Sequence, residues 1–185
     1  EVPGEAPGDG EVLVRHAAIG INFIDTYHRS GLYPLPSLPH GIGVEAAGVV
    51  EAVGAKVSDF RIGDRVAYVA STPGSYADVR VVPADRLVAL PAGIDDEPAA
   101  AMMLKGMTAQ YLLNRTYKVG KGTTVLMHAA AGGVGQILCQ WANHLGATVI
   151  GTVGSKEKGE IAKAHGAHHI VYYRTEDFVA RVKEI

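Results

Sequence analysis

Residues 123–145 read TTVLMHAAAGGVGQILCQWANHL, an apolar strand, a glycine-rich turn and a helix without a break. TTVLMH runs straight into AAAGGVG at 129–135, and beyond it Val134, Ile137, Leu138, Trp141, Ala142 and Leu145 recur at spacings of three and four. That spacing predicts a helix with one apolar face, leaving Gln136, Gln140, Asn143 and His144 outside. In the pattern x-G-x-x-G, Gly132 lets a pyrophosphate approach the backbone and Gly135 lets the helix pack close on the strand. Ala130 stands where the usual fingerprint has its first glycine. Backbone amides across Ala131, Gly132, Gly133, Val134 and Gly135, at the positive end of the helix, suit phosphate binding. The alternative is a glycine turn that holds no ligand.

The pattern continues with a strand at 147–153, a helix from Lys156 to His165, a strand at 169–173 and a last helix in EDFVARVKEI. Strands alternating with helices imply right-handed crossovers and a parallel sheet. A cofactor with a free 2'-hydroxyl is usually held by an acid at the end of the second strand. Here that place reads GTVGSKEK, residues 151–158, with no acid before Glu157. Ser155, Lys156 and Lys158 offer a hydroxyl and two cations to a 2'-phosphate, so NADPH is expected over NADH. The plainer reading of the lysines is a solvated helix start.

Upstream the periodicity is different. EVLVRHAA (11–18), AGVVEAVG (47–54), DRVAYVA (64–70) and SYADVRVV (75–82) are short strands closed by turn residues, which predicts a β-rich, barrel-like unit. A helical turn is expected from Asn22 to Arg29, and the proline-rich stretch 32–43 should be an ordered surface loop. Asp95, Asp96 and Glu97 precede Pro98 and a long apolar run, the signature of a helix start. The expected organisation is a catalytic β-rich domain over 1–95, a linking helix and connection over 96–122, and the first half of a dinucleotide-binding domain over 123–185.

Seventeen basic and nineteen acidic residues give a net charge of -2 with no basic cluster, which speaks against duplex nucleic acid and anionic membrane. One cysteine, Cys139, removes disulfide frameworks and multi-cysteine zinc sites. His165, His168 and His169 lack a fitting set of metal-binding partners. No apolar run reaches the length of a membrane span, and a cytoplasmic location is the expectation. The chain opens at Glu1 without a methionine and stops inside a predicted helix, and is read as a piece of a longer protein.

GINFIDTYHRSGLYP (20–34), LKGMTAQYLL (104–113), HAAAGGVGQILCQWA (128–142) and GTVGSKEK (151–158) together resemble the quinone oxidoreductase, or zeta-crystallin-like, family of the zinc-independent medium-chain dehydrogenases and reductases. The resemblance runs the length of the chain. It implies an α/β protein with a GroES-like catalytic domain followed by a doubly wound Rossmann sheet, of which only the first half is present. It also implies NADPH as donor, an active site in the cleft between domains, and a homodimer. By the same resemblance Asn22, Tyr27, Tyr33 and Thr108 are the polar groups near the nicotinamide and substrate. Lys105 is a possible cofactor contact or an ordinary helix lysine, and Gly154, Lys158, Tyr173 and Arg174 form the adenosine-phosphate end with Ser155. Zinc-dependent relatives carry metal ligands where this chain has Asn22, Val44 and Leu104, none of which makes an imidazole or thiolate bond.

Without a Lewis acid the substrate must accept hydride readily, as a quinone does in becoming an aromatic hydroquinone. The expected activity is reduction of a quinone by NADPH. The alternatives are reduction of a conjugated enal or enone, or a non-catalytic nucleotide- or RNA-binding role, since relatives also serve as lens proteins and RNA binders. A piece with half a dinucleotide sheet is expected to bind cofactor weakly or to be unstable alone. Cys139 is expected to be inert packing.

Overall fold

The computed structural model describes residues 6–185, which divide into two compact units, one ending at Leu104 and the other running from Lys105 to Ile185. The first unit is built on a five-stranded sheet of β1 (Glu11–Gly20), β2 (Glu45–Val53), β3 (Arg65–Val69), β4 (Val79–Pro83) and β5 (Leu87–Ala89). The spatial order is β4-β1-β2-β3-β5 and every pair is antiparallel. Alternation decides the faces: Val12, Val14, Val50, Val66 and Val82 close on Tyr68 to make one core. The opposite face carries Ala47 and Ala67, whose small side chains let Ala99 and Ala100 of α2 (Asp96–Tyr111) pack directly on the sheet. A short helix, α1 (Phe23–Ser30), follows β1, and the stretch 32–43 is irregular, as its prolines predict.

Two details of this unit differ from the sequence reading. The strand expected from Ser75 begins only at Val79, because the amides of Ser75 and Tyr76 bond instead to the carbonyls of Gly43 and Ile42. The three residues of β5, Leu87–Ala89, follow a single 3-10 turn and are too few to register as a periodic pattern.

The second unit contains a parallel three-stranded sheet, ordered β6-β7-β8, of β6 (Thr124–Met127), β7 (Thr148–Val153) and β8 (His169–Tyr172). Helices α3 (Gly133–His144) and α4 (Lys156–Ala164) form its two crossovers, and α5 (Phe178–Glu184) follows, started by Asp177, whose carboxylate accepts the amides of Val179 and Ala180. The core gathers Leu138, Cys139 and Ala142 from α3 against Met127, Val149 and Val153 of the strands. The predicted strand–helix alternation thus holds element by element, with bounds moved by one or two residues.

A polar chain runs through the first unit. The Nδ1 of His16 is 2.6 Å from the carbonyl oxygen of Ala77, and its Nε2 is 2.9 Å from the hydroxyl of Tyr68. A carbonyl only accepts, so in the neutral ring Nδ1 carries the proton and Nε2 accepts from Tyr68. Ser75 Oγ lies 3.0 Å from that hydroxyl and accepts from Arg80 at 2.9 Å, which completes the chain. Burial chiefly, with the Arg80 guanidinium adding to it, lowers the pKa of His16 below its ordinary 6.5. The unfolded chain therefore takes up a proton at higher pH than the folded one. Stability is expected to hold level above pH 6.5 and to fall as pH drops below it. His16→Gln keeps a donor for Ala77 and an acceptor for Tyr68. It should flatten that decline, measured as the urea midpoint between about pH 7.5 and about pH 5.

Candidate functional site

The turn between β6 and α3 is shaped by what can fit there. Ala129 holds φ at 53°, the one non-glycine residue with positive φ among the described residues. The amide of Gly132 closes back on its carbonyl at 2.8 Å. A Cβ at Gly135 would lie 2.7 Å from the carbonyl oxygen of Ala130 and closer still to that of Ala129, so only hydrogen is admitted. Gly132 caps α3 without a side chain, so the first amides of the helix receive no side-chain acceptor from the cap. The aliphatic stem of Lys105 lies over the turn, with Cδ and Cε each 2.9 Å from where a Cβ of Gly133 would stand. Exposed Gly132 and Gly133, flanked by half-buried Ala131 and Val134, leave the backbone open to a phosphate.

Beyond the other two strands lies a second group. At the end of β7, a Cβ on Gly154 would stand 2.7 Å from the hydroxyl of Tyr173 and 3.3 Å from Nε of Arg174, both just past β8. Ser155 caps α4, its Oγ accepting the amide of Lys158 at 3.3 Å, so the hydroxyl is engaged in the helix start. Lys158, Tyr173 and Arg174 are exposed. All three segments, 129–135, 154–158 and 173–174, follow the carboxyl ends of parallel strands, where open α/β sheets bind ligands. An apolar cavity of about 670 Å³ runs beside β6 past Tyr117, Leu126 and Leu138 and reaches the glycine turn at Gly132 and Gly135.

In the first unit Asn22 is the N-cap residue of α1, and its backbone amide donates to Asp25 Oδ2 at 2.8 Å. Tyr76 donates its hydroxyl to the same oxygen at 2.9 Å; burial and then Asp25 push its pKa up to about 12. Tyr27 lies on α1, with Tyr33 just beyond, ring centroids 5.2 Å apart. The structure therefore gathers Asn22, Tyr27 and Tyr33 around one short helix. Thr108 lies three residues past Lys105 on α2 and belongs, like it, to the second unit.

Sequence reasoning missed Glu45. It is wholly buried, and its carboxyl accepts Nδ2 of Asn22 and the amide of Leu104, each at 2.6 Å. The available signal was an acid at the head of EAAGVV, a strand otherwise too apolar to hold an unpaired charge. Asn22, Val44 and Leu104 are the positions compared above with zinc ligands. Here they present an amide bonded to a carboxyl, a buried aliphatic side chain and a backbone amide, a set that does not fit zinc. Among the described residues no group of three or more His, Cys, Asp or Glu could hold a metal ion.

Cys139 is fully buried beside Met127, and burial pushes its thiol up to about 11. A thiol reagent at about pH 8 should label it only as the chain unfolds; rapid labelling of folded protein would contradict this placement. Gly135→Ala should lower stability by about 1–3 kcal/mol through overlap with the two carbonyls, read as a fall in the urea midpoint.

The chain matches the alcohol dehydrogenase GroES-like domain over residues 8–92 and the zinc-binding dehydrogenase family over residues 133–185. It is 56% identical over 179 residues to a quinone oxidoreductase of Pseudomonas aeruginosa, covering 97% of this chain and 55% of that protein. It is 51% identical over 191 residues to a 2-haloacrylate reductase of a Burkholderia species, covering 100% of this chain and 57% of the relative. The solved structure of Escherichia coli quinone oxidoreductase complexed with NADPH superposes with a TM-score of 0.97 at 52% identity, over 100% of this chain and 56% of that one. The chain thus spans about half the length of the curated relatives it matches. Its two domain matches in this order, with identity above one half to a quinone oxidoreductase along nearly its whole length, make the chain similar to quinone oxidoreductases and join a GroES-like unit to strands and helices of a Rossmann-type unit.

Proposed function

We propose that the protein carrying this chain reduces quinones with NADPH, and does so without zinc. The observation that carries the reading is the convergence of an uncapped helix start, Lys158 and Arg174 beyond the ends of three neighbouring parallel strands. The uncapped amides of α3 suit a pyrophosphate, and the two cations, with no acid at the end of β7, suit a 2'-phosphate. Tyr173, beside Gly154, offers a flat surface and a hydroxyl to the adenosine. The E. coli relative complexed with NADPH and the names of the most similar proteins support the same donor and substrate.

When bound, the cofactor supplies a hydride, two electrons with one proton. The residues of this chain bind and orient. Tyr27 and Tyr33 carry hydroxyls that can donate to a quinone oxygen as it gains negative charge. Asn22 orients an amide or carbonyl, and Thr108 and Lys105 serve the cofactor from α2. The amide and aliphatic groups at positions 22, 44 and 104 support a reaction with no metal ligand set. A homodimer and a cytoplasmic location remain what the resemblance and the sequence lead us to expect; no helix among the described residues is long and apolar enough to cross a membrane.

The test is titration with NADPH and NADH, followed by loss of nicotinamide absorbance on adding 1,4-benzoquinone with a chelator present. NADPH-selective binding and chelator-insensitive turnover are expected. Lys158→Ala and Arg174→Ala should each raise KM for NADPH by about tenfold, in line with loss of one charge-assisted bond, and leave KM for NADH unchanged. Equal loss for both cofactors would count against a 2'-phosphate site.

A further inference from the structure

Two buried atoms on α1 are left over once the start of the helix is accounted for. Asp25 is 3% exposed, and its Oδ2 accepts both the Asn22 amide at 2.8 Å and the Tyr76 hydroxyl at 2.9 Å. The Asn22 side chain takes the Asp25 amide in return, which closes the capping box. The other carboxyl oxygen, Oδ1, is buried without a hydrogen-bond partner, and so is Nδ1 of His28; among the described residues these are the only two such side-chain atoms. His28 stands three residues beyond Asp25 on the same helix, a spacing that puts both side chains on one face with about 5–6 Å between Cβ atoms. One of the two atoms only accepts and the other is free to donate, so a bond from Nδ1–H to Oδ1 satisfies both. It also fixes the tautomer of the ring and leaves Nε2 for other work. The half-buried ring of His28 lies beside Tyr33, centroids 6.3 Å apart and planes inclined at 59°.

We propose that Asp25 and His28 form a proton relay that serves Tyr33. The hydride brings two electrons and one proton, which leaves the quinone one proton short of hydroquinone. The Tyr33 O–H bond breaks to give that proton to the quinone oxygen, and Nε2–H of the protonated His28 ring replaces it on the phenolate. The neutral ring then takes a proton from solvent. Asp25 is the positioning residue: it accepts Nδ1–H throughout and neither gains nor loses a proton. The inference rests on the reading in which the Tyr33 hydroxyl meets the quinone.

The test uses the whole protein that carries this chain, with single-turnover oxidation of bound NADPH by 1,4-benzoquinone as the readout. His28→Gln keeps hydrogen-bonding groups but passes no proton. It should slow that step by about 100-fold and leave the NADPH Kd within about twofold of wild type. Tyr33→Phe should cost a similar factor, and adding His28→Gln to it should cost nothing more, because the two groups act in series. A merely structural His28 would lower Tm, and its effect would multiply with that of Tyr33→Phe. Multiplying effects overturn the relay, as does a His28→Gln protein that turns over within about twofold of wild type.

A second readout does not depend on turnover. The Nδ1 proton of His28 should appear far downfield in the proton NMR spectrum and vanish in Asp25→Asn, whose amide oxygen still serves Asn22 and Tyr76 while its nitrogen offers His28 only donors. If Asp25→Asn does not fold, loss of the signal in His28→Gln identifies it. A wild-type spectrum without that signal overturns the Asp25–His28 bond. If the wild type binds NADPH but reduces no quinone, the substrate reading fails and the relay with it, while the proton signal still decides the bond.

Discussion

Only a hydrogen atom fits between the first turn of α3 and the carbonyl oxygens of Ala129 and Ala130. That contact seats the helix directly on the end of β6 and leaves its opening amides facing outward. From there the helix must return across the sheet, and Leu138, Cys139 and Ala142 bury against Met127, Val149 and Val153 as it does. The crossover then sets β7 parallel to β6, which brings Gly154 and the start of α4 to the same end of the sheet as the glycine turn. Close approach, crossover and the shared edge of the two turns are one constraint met in three places.

The first unit answers a different problem with the same means, a small residue where groups crowd. Gly20 gives way to the carboxyl of Glu45, and the alanines of β2 and β3 give way to those of α2. A buried carboxyl is costly unless its oxygens are occupied, and removal of one partner costs more than the pair contributes. The side chain of Asn22 and the amide of Leu104 bond to Glu45, which ties the sheet to two helices through a group that has no apolar substitute. The aliphatic core of Val12, Val14, Val50, Val66 and Val82 supplies the non-directional part of the stability, and the polar contacts select the arrangement.

Much of this was legible in the sequence where a local period and a local breaker agree. The run from Thr123 to Tyr173 alternates strand and helix with glycines at the changes, and each element stands where the pattern predicts. Asn22 as the start of α1 was equally readable. What the sequence concealed depends on contacts between distant segments. Ser75 and Tyr76 look like strand, yet their amides are claimed by Ile42 and Gly43, more than thirty residues away. Glu45 looks like a polar break in a strand and becomes intelligible only beside Asn22 and Leu104, 23 and 59 residues distant in sequence. Ser155, which its place after β7 offered to a phosphate, also caps α4.

The central claim is that the ends of β6, β7 and β8 form one dinucleotide-phosphate site. Hydrogen–deuterium exchange of the protein with and without saturating NADPH tests it most directly. The account predicts slowed exchange in peptides covering 129–135, 154–158 and 173–174, with the protection at 154–158 weaker under NADH. Protection confined to other segments, or none at these three with NADPH bound, would contradict it.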